Sequence, residues 1–198
     1  MSASFDEKRF RRLALLCLIF QVADSIVGRT KIQKITYLAN LCGWNAIDFR
    51  YHNYGPYADE LSSEIENLRS IGWLHEQQIS TRYDNFLYSY YFSPQHKKVR
   101  DSIISKFVDL NPVANSKLVT RTKELVEGLV EKDSRDLEIM ATLMFLKSQE
   151  PHLKEGQLVD MAYELKPQYS RKQFKEGTIV FRMMRHFTPP ALALRSPL

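Results

Sequence analysis

Three cations spaced along one segment, Arg29, Lys31 and Lys34, are followed by Tyr51, Tyr54 and Tyr57 and then by Asp59, Glu60 and Glu64. These residue types do recognition chemistry. Cations hold carboxylates or phosphates, tyrosines give large contact areas with a polar tip, and carboxylates meet a basic partner. A second group, Arg82 and Tyr83 in a polar turn with Lys97, Lys98 and Arg100 beyond it, mixes aromatic and basic side chains as a nucleic-acid surface does. Residues for catalysis are not grouped in this way. The five histidines, His52, His75, His96, His152 and His186, are scattered. The chain has no H-E-x-x-H, no close cysteine pair, no glycine-rich phosphate loop and no G-x-S-x-G. We therefore expect no catalytic residues, no metal and no cofactor.

The elements that must carry these residues follow from periodicity and punctuation. Residues 7–27 are apolar around most of a helical circumference, with Leu13, Leu16, Cys17, Phe20, Ala23 and Ile26 on one stripe. After Gly28, Thr30-Lys31-Ile32-Gln33 matches a capping box. It opens a helix with Ile32, Ile35, Leu38, Ala39 and Cys42 at helical spacing. Residues 48–54 read as a short aromatic strand broken by Gly55-Pro56, with Pro56 as the first residue of the next helix. That helix, 56–71, would bury Tyr57, Leu61, Ile65 and Leu68 and present Asp59, Glu60, Glu64 and Glu66 against a single Arg69. Tyr54 is expected as the exposed ring of the turn. Residues 73–80 and 86–93 form a β-hairpin across the turn 81–85. On its second strand Phe86, Tyr88, Tyr90 and Phe92 share one face.

The remainder is helical, over about 95–109, 116–131, 135–148, 155–165 and 170–185, the last opened by the capping box Ser170-Arg171-Lys172-Gln173. Residues 188–198 carry Pro189-Pro190 and no period, which predicts a flexible tail. The order of helix, basic helix, acidic helix and hairpin predicts a mainly α (α+β) winged helix-turn-helix over residues 1–110. The hairpin is its wing, and a helical subdomain over 111–187 packs on it.

The 198 residues carry a net charge of +5, with basic ends and a slightly acidic centre. The balance permits nucleic-acid binding at the ends without indicating it at the centre. The acidic third helix would repel a phosphate backbone if laid in a major groove. Cys17 and Cys42, both in apolar helical stretches, read as reduced core residues of a cytoplasmic protein. The apolar run 13–20 is too short to span a bilayer, so no membrane partner is expected.

The segment Arg29 to Leu38 (RTKIQKITYL), then Phe49 to Tyr57 (FRYHNYGPY), then Leu61 and Gly72-Trp73-Leu74 resembles the YwgA-like proteins. These are similar to the Panacea domain of SocA-like antitoxins. Leu137 to Thr142 with Leu146, and Leu165 to Ser170, resemble the helical half of the same group. Tyr51, His52 and Asn53 stand where the antitoxin pattern has a tryptophan, which favours the YwgA-like branch. The resemblance implies a prokaryotic or phage protein that acts by direct binding of a partner protein, a toxin or effector. Arg29, Lys31, Lys34, Tyr51, Tyr54, Tyr57, Asp59, Glu60 and Glu64 are the candidate partner-binding residues. The alternative is a winged-helix DNA-binding regulator using Arg82, Tyr83, Lys97, Lys98 and Arg100. Self-association is compatible with either.

Overall fold

The computed structural model describes residues 2–80 and 86–187, with the side chains of residues 2–6 and of Ser80 left undescribed. The turn 81–85, with Arg82 and Tyr83, and the tail 188–198 lie outside the described residues. The protein is mainly helical, with two small antiparallel sheets. Helix α1 (Ser2–Val22) leads into strand β1 (Ser25–Val27) and helix α2 (Arg29–Asn40). A small hairpin follows, β2 (Arg50–His52) and β3 (Gly55–Tyr57), then helix α3 (Asp59–Ser70). Strands β4 (Leu74–Ser80) and β5 (Phe86–Phe92) come next. Helices α4 (Lys97–Leu110), α5 (Pro112–Val130), α6 (Ser134–Gln149), α7 (Glu155–Leu165), α8 (Arg171–Gly177) and α9 (Ile179–Phe187) complete the described chain.

The larger sheet has the order β1-β5-β4, with β1 pairing Ser25 with Tyr91 and β4 pairing Leu74 with Phe92. Residues 25–27 are thus strand rather than the end of the first helix. Asp24 takes a left-handed conformation (φ 41°) that stops α1, and Ile26 is then buried from β1 instead. Helix α1 buries every residue from Ala14 to Phe20, because it packs on α2, α4 and α5 at once. Cys17 and Cys42 are buried and unpaired, and burial pushes both thiols up to about 12.

The opening of α2 also differs from expectation. Its N-cap is Gly28 (φ 91°), with no side-chain cap. Gln33 does not reach back to it; its amide donates to the Ala58 carbonyl (3.0 Å) and accepts from the Ala58 N–H (3.1 Å). A buried amide that satisfies two backbone groups on another element contributes more than one shared with water at a helix end. This bond pair fixes where α3 starts. Pro56 accordingly lies in β3 opposite Tyr51, not at the first turn of α3, and Ala58 is the N-cap. Tyr57, expected in the core, is half-buried, with its hydroxyl 2.8 Å from that of Ser62. The strand expected over 48–54 is limited to β2.

In the helical half, Asn111 alone separates α4 from α5 and caps the latter by accepting from the Ala114 N–H (3.3 Å). The capping box at Ser170 and Gln173 forms as read. The helix expected over 170–185 is two helices, because Thr178 ends α8 and its hydroxyl donates to the Lys175 carbonyl (2.7 Å). Gly177 lets α8 lie close on α6. A Cβ there would come 2.4 Å from the Ile139 Cγ2 and 3.2 Å from the Leu143 Cδ1. Gly177→Ala is expected to cost about 1–3 kcal/mol through overpacking. Gly156→Ala, in α7 with nothing within 4 Å of the added atom, is expected to stabilise by about 0.4–1 kcal/mol. Urea denaturation of the two variants beside the parent checks both signs.

One continuous core holds residues from α1 through α9. No helix among the described residues is long and apolar enough to cross a membrane.

Candidate functional site

The first turn of α2, the β2–β3 hairpin and the start of α3 enclose a cavity of about 370 Å³. Arg29, Thr30, Gln33 and Lys34 line it from α2, His52, Tyr54 and Tyr57 from the hairpin, and Asp59, Ser62 and Ile65 from α3. Five of the nine residues read as partner-binding therefore share this one site: Arg29, Lys34, Tyr54, Tyr57 and Asp59. Tyr54 stands on its rim, 64% exposed, as expected. Asp59 is exposed and holds no ion pair among the described residues. The His52 and Tyr57 rings lie 5.6 Å apart at a tilt.

The other four lie elsewhere. Lys31 donates to the Val130 carbonyl (2.6 Å) and so holds the end of α5. Tyr51 turns under the hairpin and packs on Phe145 at 5.2 Å, and burial raises its hydroxyl pKa. Glu60 and Glu64 point to α1. Arg12 holds Glu60 at 2.7 Å and Glu64 at 3.4 Å, and Arg9 lies 3.8 Å from Glu64. Glu64 is only 4% exposed. Further along α3, Glu66 pairs with Arg69 (2.6 Å) and with Arg29. Both arginines also reach Glu76 on β4. Apart from Asp59, the expected acidic face is therefore a set of ion pairs. The reason is topological: folding brings Arg9 and Arg12 of α1 and Arg29 of α2 against the carboxylates of α3. Among the described residues the same pairing leaves no cationic ridge beside α3, since each of these arginines is used.

Beneath the cavity two lysines fasten the hairpin. Lys34, 1% exposed, donates to the Pro56 carbonyl (2.7 Å). Lys166, 2% exposed, donates to the Asn53 carbonyl and pairs with Glu138 of α6 at 2.7 Å. Gly55 (φ 83°) lies against Lys34 and α6, and a Cβ there would lie 3.2 Å from the Thr142 hydroxyl oxygen. The Tyr-Gly-Pro-Tyr turn thus needs glycine both for its backbone conformation and for this approach. Burial lowers the Lys34 ammonium to about 8, with Glu138 opposing the shift and Lys166 adding to it.

Lys166, Glu138 and Thr142 lie in segments that resemble the helical half of the YwgA-like group, but nothing in the sequence marked them as neighbours of the hairpin. They lie far from the hairpin along the chain, and no local pattern marks a lysine as buried. Arg9 and Arg12 escaped the sequence reading, although an arginine within an apolar helix opposite a helix rich in glutamate is a readable signal.

Among the nucleic-acid candidates, Lys97 and Lys98 are exposed at the start of α4. Arg100 is not available to a phosphate. It is 7% exposed, donates to the Phe20 carbonyl (3.1 Å) and to Asp101 (3.0 Å), and lies over the Phe92 ring at 5.9 Å. On β5 the expected aromatic face divides. Tyr90 and Phe92 are buried, while Phe86 and Tyr88 are exposed because the sheet extends beyond the helices that cover it.

No protein-family model matches the chain. It is 25% identical over 165 residues to the uncharacterized protein YwgA of Bacillus subtilis (strain 168), an alignment that covers 83% of this chain and 90% of that protein. A similarity running through both the hairpin region and the helical half supports the YwgA-like resemblance read from the motifs of residues 29–74.

Proposed function

We propose that this chain is a non-enzymatic interaction module that binds a partner protein across the hairpin, the first turn of α2 and the start of α3. Its action is that of an antitoxin or a defence-associated regulator. The observation that carries the reading is the meeting of Arg29, Lys34, Tyr54, Tyr57 and Asp59 around one cavity, with an exposed tyrosine at its rim. Exposed tyrosines beside a concavity, with hydrogen-bonding groups of both kinds in reach, are the usual anchors of protein interfaces. The likeness to YwgA and the resemblance to the Panacea domain add to it. The order α1-β1-α2-α3-β4-β5 with the sheet β1-β5-β4 supports a winged helix-turn-helix reading of residues 2–92. In that reading β2–β3 is an insertion between its second and third helices.

Neutralisation of α3 removes charge as the reason to favour a protein over DNA, so the test must separate the two. A photoreactive side chain at position 54 in the native host is expected to capture a protein that one at Val113, on the exposed start of α5, does not. For the purified pair, Tyr54→Ala combined with Asp59→Ala is expected to weaken binding by at least about 30-fold, the loss of a hot spot of about 2 kcal/mol. DNA affinity that falls steeply with salt, and falls again in Lys97→Glu/Lys98→Glu, would instead establish the regulator reading.

A further inference from the structure

We propose that the free edge of β4 pairs with β4 of a second copy of this chain, antiparallel and in full register, joining two three-stranded sheets into one of six strands. The inference goes beyond the protein-partner reading and does not depend on it.

The backbone points to this edge. The Ser93 N–H donates to the Trp73 carbonyl and the Gly28 N–H to the Tyr88 carbonyl, both at 2.8 Å. Antiparallel ladders alternate residue by residue, so these two bonds fix which way each strand residue faces. In the β4–β5 register, His75, Gln77 and Ile79 turn their N–H and C=O groups to β5. Leu74, Glu76, Gln78 and Ser80 turn theirs away. β4 is the outermost strand of its sheet, and the backbone groups of Glu76 and Gln78 meet no partner among the described residues.

An open strand edge is a template for another strand, and proteins blunt it with proline, lysine, a bulge or a covering element. β4 (LHEQQIS) holds no proline and no lysine. Its ladder with β5 runs unbroken from Leu74–Phe92 to Ser80–Phe86, so it has no bulge either. At the other side of the sheet β1 is only three residues long, which ends the growth at two copies.

The side chains favour a copy of the same strand over a charged peptide. His75, Gln77, Gln78 and Ile79 are exposed, and none is a carboxylate, a lysine or an arginine. Two copies therefore meet without repulsion there, and a charged peptide would find no ion pair. Glu76, the strand's one fixed charge, is held by Arg69 (2.8 Å) and Arg29 (3.4 Å). Residues that face away must pair with one another, which leaves few registers. Centred on Gln77, all seven residues pair: Glu76 stands opposite Gln78 of the copy, and Leu74 opposite Ser80. Centred on Glu76, two carboxylates would stand opposite each other, which is destabilising. In the Gln77 register His75 of the copy lies opposite Ile79, which with its β5 neighbour Leu87 is exposed on the outer face.

Sedimentation equilibrium of the full chain over about 5–500 µM is expected to show monomer and dimer in exchange. Gln78→Pro removes an N–H that β5 does not use, so the fold keeps its own ladder. It is expected to weaken the dimer by about 10- to 100-fold, the loss of two hydrogen bonds per dimer. Gln77→Lys and Gln77→Glu, exposed changes at the twofold axis, are each expected to weaken it by about 2- to 5-fold at low salt, and mixing the two to restore pairing. Gln77→Cys is expected to give a disulfide-linked dimer under mild oxidation, because directly opposed residues of that kind have Cα atoms about 4.5 Å apart. Gln78→Cys is expected to give none. The proposal is overturned if the chain is a monomer throughout, if Gln78→Pro and the charge variants dimerise like the parent, or if Gln78→Cys cross-links and Gln77→Cys does not. Capture of a partner protein at position 54 in those cases would leave the interaction reading standing.

Discussion

Lys166→Met is expected to destabilise the protein by about 3–5 kcal/mol, because it leaves Glu138 charged, buried and without its main cation. A further loss acts in the same direction. The Asn53 carbonyl gives up its donor from the helical half, and the lysine bond left on the hairpin is that from Lys34 of α2 to the Pro56 carbonyl. The double variant Lys166→Met/Glu138→Leu is expected to regain most of the loss, since an apolar pair of similar volume replaces a desolvated ion pair at little net cost. Urea unfolding of the parent, both single variants and the double gives the coupling energy directly.

Lys34 reports the same event by a separate route. Its ammonium is held near 8 mainly by burial, with Lys166 lowering it further and Glu138 raising it. Removing Lys166 takes away the repulsion and leaves the attraction, so the Lys34 value is expected to rise. The sign for stability follows. A lysine whose folded value lies below its unfolded one opposes folding while it is charged in both states. That opposition fades as pH rises from about 8 toward the ordinary 10.5. The parent should therefore gain stability relative to Lys166→Met between those limits. An unchanged Lys34 titration in the variant would mean that the two lysines do not sense each other.

Most elements were legible because their signals are local. The helices of the second half follow from apolar periodicity and from caps such as Ser170 with Gln173, and the β4–β5 hairpin from aromatic strands around a polar turn. The sequence failed where a long-range contact overrode a local motif. Thr30 and Gln33 have the spacing of a capping box, yet Gln33 is used by Ala58. Pro56 has the chemistry of a helix start, yet it pairs with Tyr51 as a strand. Residues 25–27 continue a helical stripe, yet β5 offers them a sheet edge. The site behaves in the same way. Residues 29–34 and 51–59 were readable as recognition residues from their types; that five of them line one cavity was not. The sign of the α3 surface was not, because it is set by arginines on α1 and α2 that only folding brings near. The lysines under the hairpin were half visible: Lys34 as a candidate partner-binding cation, Lys166 only as one residue of the Leu165–Ser170 motif.

Trp44→Ala, at the turn after α2, is expected to cost about 3–5 kcal/mol. The ring is fully buried and stacked on Phe107 of α4, with centroids 4.6 Å apart. Its Nε1 donates to the Thr122 hydroxyl of α5 (2.8 Å), and Arg11 of α1 donates to its carbonyl (2.8 Å). Three helices thus converge on one residue, two of them on its ring, so truncation opens a cavity that no single helix can close. Thr122 still donates to the Leu118 carbonyl (2.7 Å) after the change, so the loss is one of packing more than of an unmet donor. Trp44→Phe, which keeps an aromatic ring on Phe107, is expected to cost only about 1–2 kcal/mol. Because α1, α2, α4 and α5 share this core, the weakened protein should still unfold in one transition. In Trp44→Ala the remaining tryptophan, Trp73, sits just before β4 and packs near Phe92 and His96, so its fluorescence reports the sheet while far-ultraviolet circular dichroism reports the helices. Coincident curves would establish that the sheet region and the helical half are one cooperative unit. An earlier loss of helix signal would show residues 111–187 unfolding by themselves, with Trp44 as a clasp between two units.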